Sequence, residues 1–189
     1  MVVIAISGSV GSGKTTFTKS LAKELGINIL HLNELAKEYK LEEIKELQTF
    51  DFDLDALLDN FENELKNKKY ENIIIESHFA HLINPELVDI LFVINRDLSL
   101  LKIEYKNRNY NDQKIQDNLE VESFNLCFYE AEEAGYFVGN EKIGTLSNEN
   151  EKEEHIARVF SFDNNKTIQD LVEKAIRKLQ KYEFIEVEK

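Results

Sequence analysis

Residues 2–16, VVIAISGSVGSGKTT, decide the fold. Residues 2–6 form a short apolar run without alternation, which is typical of a buried strand in a parallel sheet. Residues 8–15 then match the pattern G-x-x-x-x-G-K-[ST] at every specified position. From Thr15 onward apolar residues recur at helical spacing, and Gly26 stands where a helix C-cap belongs. A strand, a glycine-rich loop and a helix in this order predict a phosphate-binding loop, or P-loop.

Each residue type in this loop has a chemical reason. The glycines allow the backbone to curl so that main-chain N–H groups point inward at the positive end of a helix, which forms a nest for an anion. Lys14 adds a mobile positive charge, and the Thr15 hydroxyl is a ligand for Mg²⁺. An accidental glycine-rich turn would need neither residue. We therefore predict that ATP and Mg²⁺ bind at Gly8, Gly11, Ser12, Gly13, Lys14, Thr15 and Thr16.

The rest of the chain alternates strand and helix patterns. Short segments rich in apolar residues at 27–30, 72–76, 90–94 and 157–162 predict further strands. Helices are expected between them, with capping residues at Asn33, Asp53, Asp97, Asp112 and Thr167. Alternation of this kind predicts an α/β fold in three layers, with a five-stranded parallel sheet and helices on both faces. In such sheets, ligands bind beyond the carboxyl ends of the strands.

Polar residues follow the predicted strand at 72–76, at the edge where a ligand is expected. Glu76 is predicted to hold the metal ion through water or to orient an attacking water. His78 is predicted to exchange a proton or to bind phosphate, although a hydrogen-bonded structural histidine fits the pattern equally well. His81, three residues further on, is expected to be structural.

A polar turn at residues 108–114 separates two amphipathic helical patterns. Phosphoryl transfer requires cations near the transferring group and a cover that excludes bulk water. Arg108 and Lys114 are candidates for this role, and a solvated loop is the alternative. Few arginines are available for this role, because the sequence contains only Arg96, Arg108, Arg158 and Arg177. After Arg108, the next candidate is Arg96, because it follows a predicted strand.

Composition excludes several classes of protein. The 189 residues are 42% hydrophobic and 31% charged, as expected of one globular domain over residues 1–189. A net charge of −13 argues against broad binding to nucleic acid and favours a basic protein partner, although solubility alone also explains it. The single cysteine, Cys127, excludes an intrachain disulfide, and no apolar run is long enough to span a membrane. A cytoplasmic location is expected, or a nuclear one in a eukaryote.

The segment at 139–154 is polar and without periodicity, and it includes the run NENEKEE at 148–154. Such a pattern is typical of a surface insertion or a mobile loop.

Taken together, the motifs resemble a known family. The P-loop, the acid-x-His pattern at 76–78, Arg96-Asp97, and Arg108-Asn109-Tyr110 leading through Lys114 and Asn118 to Glu122 resemble the atypical adenylate kinase isoenzyme 6 family of archaea and eukaryotic nuclei. The resemblance covers residues 2–136 and resumes near Arg158. It implies a nucleoside monophosphate (NMP) kinase fold, with an NMP-binding segment near 31–53 and a lid near 107–117.

The resemblance also implies an activity and partners. Members of that family transfer phosphate from ATP to AMP, hydrolyse ATP slowly, and assist maturation of the small ribosomal subunit by binding one of its proteins. Arg108 would be the lid arginine, and Arg96 and Lys37 would contact the substrate. Lys37 stands where the family has arginine, and lysine does not grip phosphate in the same bidentate way. Val10 and Glu76-Ser77 also depart from the family's usual residues.

Three interpretations of function follow. The first is an adenylate kinase-like phosphotransferase with ATPase activity. The second is a nucleotide-regulated chaperone for a basic small-subunit ribosomal protein, with ATP hydrolysis as its main chemistry. The third is a P-loop kinase of another small metabolite, because the fold does not dictate the acceptor.

Overall fold

The computed structural model gives the positions of residues 1–67, 69–138, 157–165 and 167–185. The segment at 139–154, predicted to be an insertion, lies outside these ranges.

A parallel sheet of six strands forms the middle layer in this part of the chain, in the order β2-β5-β1-β6-β8-β7. A separate antiparallel hairpin is formed by β3 and β4, which lie between β2 and β5 in sequence. The strands are β1 Val3–Ser7, β2 Asn28–His31, β3 Lys40–Ile44, β4 Thr49–Phe52, β5 Ile73–Glu76, β6 Ile90–Asn95, β7 Phe137–Val138 and β8 Arg158–Asp163.

The prediction of a parallel α/β sheet is confirmed, but the prediction of five strands was wrong. The sixth strand, β7, has only two residues, and it pairs with the start of β8 through Phe137 and Val138. A two-residue strand is too short to show any periodicity, so its existence depends on its neighbour and not on a pattern of its own.

Seven α-helices are found among the described residues, together with four short 3₁₀ turns. The predicted caps at Asp53, Asp97 and Thr167 each accept a hydrogen bond from a main-chain N–H of the first turn, and Gly26 is the left-handed C-cap of the first helix. Asn33 was predicted to be an N-cap, but it lies inside α2. His31 is the N-cap of this helix. The helices are α1 Lys14–Leu25, α2 Leu32–Leu35, α3 Leu54–Lys66, α4 Leu98–Asn107, α5 Asp112–Ser123, α6 Leu126–Ala134 and α7 Ile168–Lys181.

The helical pattern that starts at Asp112 continues through Ile115, Leu119 and Leu126 and predicts one long helix ending near Gly135, but the structure has two helices in this range. The N-cap of α5 is Asn111, and the break after α5 falls at Asn125, which has a left-handed backbone with φ of 50°. Its side-chain oxygen accepts a hydrogen bond from Asn95 Nδ2 at 3.0 Å, at the end of β6. The break is therefore tied to the sheet by a tertiary contact that helical periodicity does not reveal.

Alternate residues of the central strands explain the three layers. In β1, Val3 and Ala5 belong to a core cluster with α3 and α6, while Ile4 and Ile6 belong to a second cluster with α1 and α7. Because successive side chains of a strand point to opposite faces, a continuously apolar strand must be covered on both sides. A third, smaller cluster joins α4 and α5 around Leu101, Tyr105 and Ile115.

Within the described residues, no helix combines the length and the apolar character needed to cross a bilayer.

Gly8 and Gly26 provide a test of how tightly the P-loop is built. An added Cβ at Gly8 would lie 2.2 Å from the Ile94 carbonyl oxygen, whereas one at Gly26 would meet nothing within 4 Å. Both residues have positive φ, so each change to alanine should cost about 1 kcal/mol in backbone strain. We expect Gly8→Ala to lower the free energy of unfolding by at least about 2 kcal/mol more than Gly26→Ala, because a backbone oxygen cannot move aside as a side chain can.

Urea denaturation of both variants measures this difference. Equal losses of stability in the two variants would contradict the close packing of the loop against β6.

Candidate functional site

The P-loop joins the end of β1 to the start of α1 at the carboxyl edge of the sheet. Side chains from three other elements donate hydrogen bonds to its carbonyl oxygens. The Tyr105 hydroxyl donates to Val10 at 2.6 Å, Arg96 Nη1 donates to Gly11 at 3.0 Å, and Asn164 Nδ2 donates to Ser12 at 2.7 Å. These donors fix the loop, and they occupy carbonyl oxygens that would repel a bound anion if they faced it.

A cavity of about 390 Å³ opens beside the loop. It brings together most of the residues predicted from the sequence, whereas Gly8 and Ser12 belong to the loop without lining the cavity. Lys37 is exposed on the 3₁₀ turn Ala36–Tyr39 and does not line the cavity either. The lining residues are Val10, Gly11, Gly13, Lys14, Thr15, Thr16, Asn33, Glu76, His78, Arg96, Glu104 and Arg108.

Lys14 is a buried amine at the base of this cavity. Its Nζ donates to the Ser9 carbonyl oxygen at 2.9 Å. Burial lowers the pKa of Lys14 to about 8, and the negative charge of Glu76 only partly opposes this effect. A bound anion would favour the charged form, so Lys14 is suited to receive a phosphate.

Glu76 links the loop to the neighbouring strand. Its Oε1 accepts a hydrogen bond from the Thr15 hydroxyl at 2.9 Å, and its Oε2 lies 2.6 Å from His31 Nδ1. His31 pairs with Glu76 in the register of β2 and β5, so the contact follows from the sheet itself. Sequence reasoning did not include His31 among the site residues, although its position directly after the predicted strand at 27–30 was a usable signal.

The two histidines after β5 differ in their surroundings. His78 lines the cavity, where desolvation by the surrounding protein, followed by the charge of Lys14, lowers its pKa to about 4 although the ring opens onto the cleft. The ring is therefore neutral near pH 7 without a bound anion, and a phosphate beside it would raise its pKa. His81 is buried between Ser7 Oγ and Glu130 Oε2, each 2.7 Å from one ring nitrogen, and burial lowers its pKa.

Two arginines approach the loop from the side of α4. Arg96 follows β6 and donates to the Gly11 carbonyl, while its main-chain N–H donates to Glu122. Arg108 is the C-cap of α4, and its Nε donates to Glu104 Oε1 at 2.8 Å. Glu104 was not predicted as a site residue, and its signal was its position four residues before Arg108 on a helical pattern.

Asn33 and Asn164 also contact the site, although the sequence did not predict them as site residues. Asn33 lines the cavity and accepts a hydrogen bond from the Ser77 hydroxyl at 2.8 Å. Asn164 directly follows β8, at the same edge of the sheet as the P-loop. Its place after the predicted strand at 157–162 was the available signal.

The segments predicted as an NMP-binding region and a lid meet in the structure. Gln48, at the tip of the β3–β4 hairpin, accepts a hydrogen bond from the main chain of Asn111 at 3.1 Å through its side-chain oxygen. Its main-chain oxygen accepts another from Lys114 Nζ at 2.7 Å, and its side-chain nitrogen lies 3.4 Å from the Asn109 carbonyl oxygen. The hairpin and the α4–α5 turn are thus joined at their tips.

Comparisons with known proteins give the family. A family model described as an AAA domain matches residues 4–125. A protein of Methanocaldococcus jannaschii named "Putative adenylate kinase" is 31% identical over 137 residues, which are 71% of this chain and 75% of that protein. An adenylate kinase isoenzyme 6 homolog of Schizosaccharomyces pombe is 32% identical over 133 residues, 69% of this chain and 74% of that protein.

The chain belongs to the adenylate kinase isoenzyme 6 family. This confirms the resemblance drawn from the motifs. The family model matches residues 4–125, and this range includes all the predicted site residues, from Gly8 to Arg108.

Solved structures support the fold of this adenylate kinase isoenzyme 6 family member. A deoxyadenosine kinase from M. mycoides has a TM-score of 0.56 and 17% identity, and the alignment covers 95% of this chain and 99% of that one. The YorR protein of Bacillus subtilis, in complex with phosphorylated GDP, has a TM-score of 0.59 and 16% identity, with 98% and 100% covered. At these identities the likeness concerns the fold alone.

The pKa of Lys14 provides a direct test of the site of this family member. We expect its amine to titrate near pH 8, below the 10.5 of an ordinary lysine, because burial removes water from the charged form. Between about pH 8 and 10.5 the unfolded chain holds a proton that the folded chain has lost, so the contribution of Lys14 to stability should rise with pH.

Side-chain NMR of labelled lysines measures the titration, with Lys14→Met used to assign the signal. Addition of tripolyphosphate should raise the pKa of Lys14, because an anion stabilises the ammonium. Titration of Lys14 above pH 10 in the free protein would contradict the account.

Proposed function

We propose that the chain is an adenylate kinase-like phosphotransferase that converts ATP and AMP into two molecules of ADP and also hydrolyses ATP. The observation that carries the proposal is the buried Lys14 amine, which lies at the base of a P-loop cavity and has a pKa lowered by burial. The phosphates of a nucleotide would give this amine a negatively charged partner. The family membership supports adenylate kinase chemistry.

In this proposal Gly8, Gly11, Ser12 and Gly13 form the main-chain cradle, and Thr16 offers a further hydroxyl. Lys14 contacts the β- and γ-phosphates of ATP. Arg96 and Arg108 line the same cavity, and they stabilise the charge that develops on the transferring phosphoryl group. His78 lines the same cavity, and its proposed role is to exchange a proton or to contact a phosphate oxygen.

Thr15 and Glu76 fit a magnesium ion. Their oxygens are 2.9 Å apart, and both are the hard oxygen donors that Mg²⁺ prefers. Among the described residues, no group of three or more His, Cys, Asp and Glu side chains is placed to hold a metal alone. This agrees with an ion that shares its ligands with water and nucleotide phosphates, and such an ion would neutralise charge between the β- and γ-phosphates.

The acceptor side of the site is formed by the segment at 31–53. AMP is proposed to bind against it, and the Gln48 contacts to the α4–α5 turn join this segment to the proposed lid. Lys37 lies outside the cavity, so it reaches the acceptor only if this segment moves inward.

The charge of this segment favours a second candidate function. Residues 31–53 carry a net charge of −4, from seven acidic residues and three lysines. The acidic residues are Glu34, Glu38, Glu42, Glu43, Glu46, Asp51 and Asp53, and the lysines are Lys37, Lys40 and Lys45. Such a segment repels a dianionic monophosphate and attracts a basic protein. The second candidate is therefore an ATPase that acts as a nucleotide-regulated chaperone of a basic small-subunit ribosomal protein, with Glu76 orienting the attacking water and a role in ribosome maturation.

Substitution of Lys14 tests the proposed reaction. We expect Lys14→Ala to lower ADP formation from ATP and AMP at least about 100-fold, because the transition state loses a cation that stabilises its negative charge. Phosphate release from ATP alone should fall by a similar factor. Lys19→Ala, an exposed lysine on the same helix, is the matched control and should retain the wild-type rates. A coupled ADP assay and a phosphate-release assay measure both rates, and an unchanged rate in Lys14→Ala would refute the site.

The same assays separate the candidates. Faster phosphate release in the presence of a basic ribosomal protein, together with little ADP formed from AMP, would favour the chaperone. An acceptor screen in which AMP is inert and a neutral hydroxyl compound is active would favour a kinase of another metabolite.

A further inference from the structure

A carboxylate lies beside the phosphate-binding loop, where negative charge works against the ligand. Glu104 lines the cavity together with Lys14, Arg96 and Arg108. A Cβ built on Gly11 would lie 3.3 Å from Glu104 Cγ, so this side chain packs directly against the loop. The neighbouring Tyr105 hydroxyl is bonded to the Val10 carbonyl oxygen, which fixes α4 in this position.

The Glu104 carboxylate binds Arg108, one of the two arginines proposed to stabilise the transferring phosphoryl group. Arg108 Nε donates to Glu104 Oε1 at 2.8 Å, one helical turn away on α4. Both side chains are partly exposed, at 42% for Arg108 and 33% for Glu104, so the pair is accessible to a ligand and free to exchange partners. An exposed pair of this spacing is weak, and a phosphate oxygen competes well for the same donor.

We propose that Glu104 is an internal competitor for Arg108, which holds this arginine in the nucleotide-free protein and releases it to the nucleotide phosphates. The inference rests on the proposed function, and it deepens that function by naming a residue that sets nucleotide affinity. Because ATP must displace Glu104 from Arg108 before the guanidinium can bind a phosphate oxygen, part of the binding free energy is lost and the affinity for the triphosphate is lower. Glu104 is a positioning residue, because it acts through Arg108.

Glu104→Gln tests this role, because it keeps the shape of the side chain and removes its charge. The probe is the ATP analogue with a methylene bridge between the β- and γ-phosphates, with Mg²⁺, and calorimetry measures its Kd. We expect Glu104→Gln to lower the Kd roughly three- to ten-fold. Glu173→Gln is the matched control, since Glu173 forms the same type of helical ion pair with Arg177 on α7 away from the cavity. It should leave the Kd unchanged.

The double variant separates competition from simple repulsion. In the Arg108→Gln background, Glu104→Gln should change the Kd less than about two-fold, because no arginine is left to release. An equal gain in both backgrounds would overturn the proposal, as would an unchanged or higher Kd in Glu104→Gln alone.

An NMR signal of Arg108 gives an independent readout. The Nε–H resonance of Arg108 should shift in wild type when the analogue is added and should already be shifted in free Glu104→Gln. Identical Nε–H signals in the free variant and free wild type would overturn the proposal. Failure of the wild type to bind the analogue would overturn the proposed function as well, whereas normal binding without a gain in Glu104→Gln would overturn this inference alone.

Discussion

The buried Lys14 amine is the constraint around which the carboxyl edge of the sheet is arranged. A charged group taken out of water is costly unless an opposite charge accompanies it, and Lys14 bonds a neutral carbonyl oxygen. Glu76 is near enough to raise the pKa of Lys14 but not to restore it. A bound anion would offset this cost, and this is the physical basis for proposing the glycine-rich loop as the nucleotide site.

The surrounding elements hold this arrangement in place. Tyr105, Arg96 and Asn164 donate hydrogen bonds to the loop carbonyls from α4, the end of β6 and the end of β8, so the loop is fixed from three sides. His31 and Thr15 both contact Glu76, which orients its carboxylate. Positions of this kind, fixed before the ligand arrives, reduce the reorganisation that phosphoryl transfer would otherwise require.

Local patterns predicted a large part of this structure. The strand-loop-helix order of residues 2–25 and the caps at Asp53, Asp97 and Thr167 are local features, and they were predictable. The strand β7, the break at Asn125, and the place of Lys37 outside the cavity depend on partners far away in sequence. His31 and Asn164 lie at the carboxyl ends of strands and Glu104 lies on α4. Only the packed structure shows which atoms these side chains contact.

The most direct test of the central claim is a titration of the ¹⁵N-labelled protein with ATP and Mg²⁺, followed through its main-chain amide signals. The account predicts the largest shifts at Gly11, Gly13, Lys14 and Thr15, with saturation at a single site. No shift in this loop, or dominant shifts around the separate cavity lined by Met1, Val3 and Leu65, would contradict it.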